Sequence, residues 1–209
     1  YTGNKTVENF LKMPVTTNFE FNLVTDQDIL KLIGTILPKT SSGYDGLSSK
    51  ALKQFSPIIH PIIRILINQS LFTGIFPTKL KHAIVSPIYK GKNSDPQDFS
   101  NYRPISLLPT LSKIIEKVVQ AQLYHYVNSN KLFTNSQYGF RTNHSTEHAA
   151  VEFVDRVAQK LDKGEIPFSI FIDLSKAFDT LDHNILLRKL QHYGISGTPL
   201  KWFESYLTE

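Results

Sequence analysis

Phe168-Ser-Ile-Phe-Ile-Asp-Leu-Ser-Lys-Ala-Phe-Asp-Thr-Leu-Asp-His183 is the stretch that decides how this 209-residue chain is read. Phe168, Ile170, Ile172 and Leu174 alternate with Ser169, Phe171 and Asp173, the period of a strand with two distinct faces. The run predicts a buried strand that passes into a helix start, with one carboxylate, Asp173, at the crossing. A charge at the end of so apolar a strand is costly to bury unless something pairs with it, and a divalent metal is the natural partner for a carboxylate there. Five residues further on, Phe178 sets a bulky ring close to where a metal-bound molecule would lie.

Outward from this stretch the chain reads as helices with a few strands, an α+β arrangement. Upstream, the spacing predicts a helix over His144–Lys163 with a stripe of Ala150, Val154, Val157 and Leu161, ended by Gly164. Downstream, Asp182 is placed to cap a helix carrying Ile185, Leu186 and Leu190, closed by Gly194, and Trp202 to Leu207 begins another. Thr110 to Val127 is a helix with Leu111, Ile115 and Val118 on one face. Ala83 to Tyr89 is a strand at an edge or a bulge, because Pro87 interrupts it, and Arg103 to Leu108 is its returning partner. Gly91 to Asp98 joins them as a turn-rich loop, so a hairpin would bring Lys90 and Arg103 together. Nearer the start, Thr25 caps a helix with Asp28 at its third position, ahead of Ile29, Ile33 and Ile36 and stopped by Pro38. Lys39 to Gly46 is a loop. A short helix over Ser49–Phe55 and a second, strongly apolar one over Pro57–Phe72 follow.

Composition sets outer bounds. Hydrophobic residues are 41% and charged residues 20%, an ordinary globular balance. The net charge of +5 is modest but has the sign that suits a phosphate-bearing partner. The absence of cysteine excludes disulfides and cysteine-based zinc sites. The seven histidines show no metal spacing; His144 and His148 lie four apart with no third ligand. No apolar run approaches the ~20 residues that span a bilayer, so no membrane partner is expected. Both ends read as cuts in a longer polypeptide.

Asp173 with Phe178 and Ala177-Phe-Asp179 resembles the first catalytic motif of reverse transcriptases, and in particular those of non-LTR (LINE-type) retrotransposons. Three upstream segments resemble the same family, in its order: Ser41-Ser-Gly-Tyr-Asp-Gly-Leu47, Asn101-Tyr-Arg-Pro-Ile-Ser-Leu-Leu108 and Ser136-Gln-Tyr-Gly-Phe-Arg-Thr-Asn-His-Ser-Thr-Glu-His-Ala149. The resemblance runs from about Leu23 to Glu209. It implies a right-hand polymerase fold, with residues 23–165 as fingers, 166–209 as the start of the palm, and 1–22 unassigned.

The resemblance also implies roles. Asp173 would bind two Mg2+ ions with the Leu174 backbone carbonyl as a further ligand. Phe178 would screen the sugar against a 2′-hydroxyl. Lys90 and Arg103 would hold the triphosphate. Gln137, Gly139, Phe140 and Arg141 would lie against the template–primer backbone, the glycine permitting close approach and the arginine meeting phosphate. A structural turn with an incidental arginine reads that last segment equally well. The partners would be an RNA template, a DNA primer and deoxynucleoside triphosphates; the oligomeric state is unknown from sequence. An intracellular place is expected, in nucleus and cytoplasm, as part of an element ribonucleoprotein.

The family's second acidic motif, an aromatic-x-Asp-Asp turn, is missing, and the chain has no Asp-Asp dipeptide. The Gln-Gly segment that precedes that turn is missing too. A fragment truncated before the second aspartate motif is therefore expected to be inactive alone. The alternatives are a decayed or repurposed remnant that only binds nucleic acid, and a group II intron maturase-type enzyme.

Overall fold

The computed structural model describes residues 11, 14–91, 95–174 and 176–208. The chain divides into two compact units, one of residues 1–126 with 183–209 and one of residues 127–182. This line differs from the 23–165 and 166–209 division, because the last two helices return to the first unit.

The core of the first unit is built on four of its helices: α1 (Asp26–Thr35), α2 (Ser49–Thr73), the greater part of α3 (Thr110–Ser129), and a later helix, Gly197–Leu207. Their apolar faces meet in one core of Ile29, Ile33, Leu52, Ile63, Ile67, Leu71, Ile114, Ile115, Val118 and Val119, with Phe76 and Trp202. The Trp202 indole stacks on Tyr206 and meets Phe76 edge-on. Its Nε1–H donates to Ser70 Oγ at 3.0 Å, which in turn donates to the Ile75 carbonyl at 2.6 Å. The buried ring thus has its polar atom satisfied.

α1 begins as expected, with a full capping box between Thr25 and Asp28. The Thr25 hydroxyl and backbone amide bond the Asp28 carboxylate and hold it below the usual range. The two helices expected over 49–72 are one helix, α2. Pro57 leaves the Lys53 carbonyl without its helical donor. The Ser56 hydroxyl donates to that carbonyl at 2.8 Å, and the helix continues through both Pro57 and Pro61. An extended segment, residues 19–24, lies across these helices. The Asn68 amide bonds both Val24 N and Val24 O, at 2.8 and 2.9 Å, and the Gln122 amide does the same for Asn22, at 2.8 Å each.

β1 (Ile84–Tyr89) and β2 (Tyr102–Leu107) form an antiparallel ribbon without a bulge. Pro87 pairs with Pro104. Lys90 N donates to Asn101 O, so the alternation of the ladder makes 88/103 a hydrogen-bonded pair and 87/104 a non-hydrogen-bonded one. Both prolines therefore sit where a backbone N–H would point away from the partner strand, which explains why neither breaks the ribbon. The ribbon leads into α3, and Thr110 Oγ1 anchors that junction on the Leu47 carbonyl at 2.7 Å. Gly43 packs so tightly against it that an added Cβ would lie 2.7 Å from Pro109 N. This gives the Ser41–Leu47 segment a packing role.

The second unit holds turns, α4 (Thr146–Asp162, capped by Ser145) and an extended run over residues 165–174. The strand expected at Phe168–Leu174 is not formed. The run is extended, but among the described residues it has no ladder partner, and Phe168, Ile170, Phe171, Ile172 and Leu174 are all exposed. Period-two alternation prescribes two faces for a strand; the hydrogen bonds that make it one come from a neighbour. The α4 stripe is likewise mostly open, with Val154 and Leu161 exposed and Val157 half-buried.

α5 (His183–His192) starts one residue after Asp182 and ends in a Schellman closure. Gly194 N donates to Gln191 O and Ile195 N to Leu190 O. Gly194 has φ +84°, and a Cβ there would meet the Thr17 carbonyl oxygen and the Tyr126 hydroxyl, each at 2.4 Å. α6 (Gly197–Leu207) completes the first unit. Among the described residues no helix is long and apolar enough to cross a membrane.

Candidate active site

The ribbon carries the first group of expected site residues. Ile88 pairs with Arg103 and Lys90 follows two residues later opposite Asn101, so Lys90 and Arg103 are diagonal neighbours on one face. Both are exposed. The Arg103 guanidinium has no ion pair or hydrogen bond among the described residues. The Lys90 ammonium donates to the Ser100 carbonyl, which holds it over the turn.

Asp98 shapes that turn, and the sequence reading passed over it. Its carboxylate accepts from Ser100 N at 2.8 Å and from Ser100 Oγ at 2.7 Å. These bonds, with Lys90 nearby, hold the carboxyl below its ordinary range. The Asp98-Phe-Ser100 spacing is the signal that could have found it, since a short acidic side chain two residues before a serine bonds its own backbone. Tyr102 adds a bond from its hydroxyl to the Pro96 carbonyl at 2.9 Å and packs its ring on Tyr89. The ribbon end is thus fixed by its own turn, leaving two cations on one face.

The second group lies in the second unit. Asp173 and Leu174 are exposed at the end of the extended run. Phe178 is 79% exposed, and its ring meets that of Phe140 edge-on, centroids 6.2 Å apart. Two residues from separate motifs are therefore brought into contact. Phe140 takes a left-handed conformation, φ 60°, rare for a bulky side chain and worth about 1–2 kcal/mol of strain. Gly139 has open space where a Cβ would stand, so nothing within the unit accounts for a glycine there. Arg141 is turned inward. It donates to the Thr134 and Gln137 carbonyls at 2.8 and 3.2 Å and lies over the Phe133 ring at 5.1 Å. Its Nε is buried without a hydrogen-bond partner. This arginine ties the 133–141 loop together. Gln137 also stays local, with Nε2 donating to the Gly139 carbonyl at 3.4 Å.

No group of three or more histidine, aspartate or glutamate side chains among the described residues could hold a metal ion. Mg2+ keeps several waters and takes one or two carboxylates together with phosphate oxygens, so Asp173 with the Leu174 carbonyl would supply only part of its octahedral shell. The described residues therefore do not make a metal centre by themselves.

Residues 90–209 match the family model described as reverse transcriptase (RNA-dependent DNA polymerase), beginning at the ribbon's Lys90. The chain belongs to the reverse transcriptase family, and its relatives place it among the non-LTR retrotransposon members. It is 30% identical over 184 residues to an RNA-directed DNA polymerase from mobile element jockey of Drosophila melanogaster, covering 88% of this chain and 20% of the relative. It is 28% identical over 192 residues to a probable RNA-directed DNA polymerase from transposon BS of the same species, covering 88% and 21%. A probable polymerase from transposon X-element, also of that species, is 29% identical over 149 residues, covering 71% and 16%. The chain thus spans about a fifth of the length of these relatives.

Proposed function

We propose that this chain is part of an RNA-directed DNA polymerase that extends a DNA primer on an RNA template, using deoxynucleoside triphosphates and Mg2+. The observation that carries the reading is the family match over residues 90–209, which includes Lys90, Arg103 and Asp173. In the whole enzyme Asp173 is one of the carboxylates that hold the catalytic ions, with the Leu174 carbonyl beside it, and other carboxylates complete the set. Lys90 and Arg103 grip the triphosphate, which their shared exposed face supports. Phe178 screens the sugar, its ring steadied edge-on by Phe140. Gln137, Gly139 and Phe140 meet the template–primer, and the unexplained open space at Gly139 favours a close external approach there. Arg141 acts by shaping that loop. The 209 residues correspond to fingers and the beginning of the palm, and they do not polymerise alone.

Primer extension tests this reading. The complete translation product of the encoding reading frame should incorporate deoxynucleotides on an RNA template in Mg2+, and the 209-residue chain should not. Incorporation by the 209-residue chain would overturn the fragment assignment. Salt-sensitive RNA binding by the complete product, with no incorporation under any metal, would favour a binding-only remnant.

A further inference from the structure

Helix α2 has two apolar faces, and among the described residues only one of them is packed. Ile63, Ile67, Ser70 and Leu71 face the core. On the opposite side Phe55, Ile58, Ile62, Ile65 and Phe72 follow one another at steps of three, four, three and seven residues, with Gln69 at the intervening position. All five are exposed, Ile58 and Phe72 at 76% each. Alternating steps of three and four define the seam of a coiled coil. The residues flanking that seam at Gln54, Ile59, Pro61, Leu66, Asn68 and Thr73 carry no charge. The stripe runs roughly 26 Å along the helix at ~1.5 Å per residue. At its end, Phe72 opens into a cleft of about 220 Å³ lined also by Glu20, Phe21, Leu23, Leu71, Thr198 and Pro199. Leu23 and Phe72 are exposed at its mouth.

We propose that this stripe and the cleft at its end are the docking surface for an amphipathic α-helix supplied by the same polypeptide outside residues 1–209. The 3-4 repeat fits a helix and not a strand or an extended peptide. Five apolar side chains supply on the order of 500 Å², toward the upper end of the roughly 300–600 Å² of the largest apolar patch on an ordinary monomer, and less than the roughly 800 Å² per partner of a stable interface between separate molecules. A covalently linked helix needs no such area, because tethering raises its effective concentration to the millimolar range. The uncharged flanks offer nothing to steer a diffusing partner or to choose among partners. The relatives contain ample chain to provide the helix, since the matched segment is 20% of the jockey polymerase. Gln69 fixes register, so the arriving helix carries an Asn, Gln or Ser opposite it, with leucine or β-branched residues on either side.

The test is site-specific photo-crosslinking from a benzophenone side chain at Ile62 in the complete translation product. The expected result is a cross-link within one molecule, to a peptide beyond residues 1–209 whose apolar residues alternate at three and four. A product of twice the mass, a cross-link to residues 1–209 only, or labelling no stronger than from the exposed control position Lys50 would overturn it. So would a translation product that ends at residue 209. A second variant guards against misfolding. Ile65→Glu should leave the melting temperature of the 209-residue chain unchanged, yet reduce the Ile62 cross-link in the complete product at least fivefold. Undiminished cross-linking would refute the surface, as would a melting temperature lowered in the 209-residue chain.

Discussion

At the scale of single residues, the most exacting environment is that of Glu116. Its carboxylate accepts from Ser112 Oγ at 3.0 Å and from the Tyr206 hydroxyl at 3.2 Å. Burial outweighs both bonds and lifts the carboxyl above its ordinary value of 4.5. A raised acid favours folding fully below that value and loses the contribution as pH rises through the folded value. Glu116→Gln should therefore raise the melting temperature at pH 7 by a few degrees and leave it unchanged at pH 4; thermal scans at the two pH values check it. Tyr206, pushed up to about 12 first by burial and then by Glu116, loses its contribution between its ordinary 10.0 and that value. Tyr206→Phe should flatten alkaline unfolding across that window, measured by near-ultraviolet dichroism. Gly194→Ala meets both a left-handed backbone and two oxygen atoms at 2.4 Å. It should destabilise by at least about 2 kcal/mol in urea, the backbone alone accounting for roughly 1–2.

At the scale of elements, capping and core stripes were legible in sequence, and partnership was not. Thr25 and Asp28 announce the start of α1 because a capping box is local chemistry. The unity of α2 was hidden because it depends on the Ser56 hydroxyl replacing the donor that Pro57 lacks. Thr and Ser spacing shows that such a bond can form; only the folded helix shows that it does. The Phe168–Leu174 run illustrates the opposite failure, an alternation that names a strand while its neighbour is not among the described residues. In the ribbon, the pairing of Pro87 with Pro104 depends on a register that sequence does not reveal, yet it fixes which residues share the face of Lys90 and Arg103. The two prolines also remove outward donors from both edges. Replacing both by valine should keep the fold to within about 1 kcal/mol but promote edge-to-edge association, visible as concentration-dependent sedimentation; a strictly monomeric double variant would contradict this.

At the scale of the whole molecule, the candidate site was legible as a set of motifs and illegible as a constellation. Asp173, Arg103 and Phe178 stand out because their residue types and order are those of a known chemistry, and the family match confirms the class. The inward turn of Arg141 was not visible, because a loop arginine reads alike whether it meets phosphate or its own carbonyls. A metal centre does not follow from the described residues, which offer Asp173 and no cluster around it. The stability of the first unit rests on its apolar core, which holds the Trp202 ring, and Trp202→Ala should cost about 3–5 kcal/mol in urea unfolding. Asp173 is proposed to belong to the catalytic centre of a polymerase whose relatives are more than four times the length of this chain. Primer extension by the complete translation product and its Asp173→Asn variant, with primer–template affinity measured on both, tests it most directly. Extension by the variant should fall by a factor of about 10³ or more while affinity stays within about twofold. Extension at the wild-type rate in the variant would contradict it.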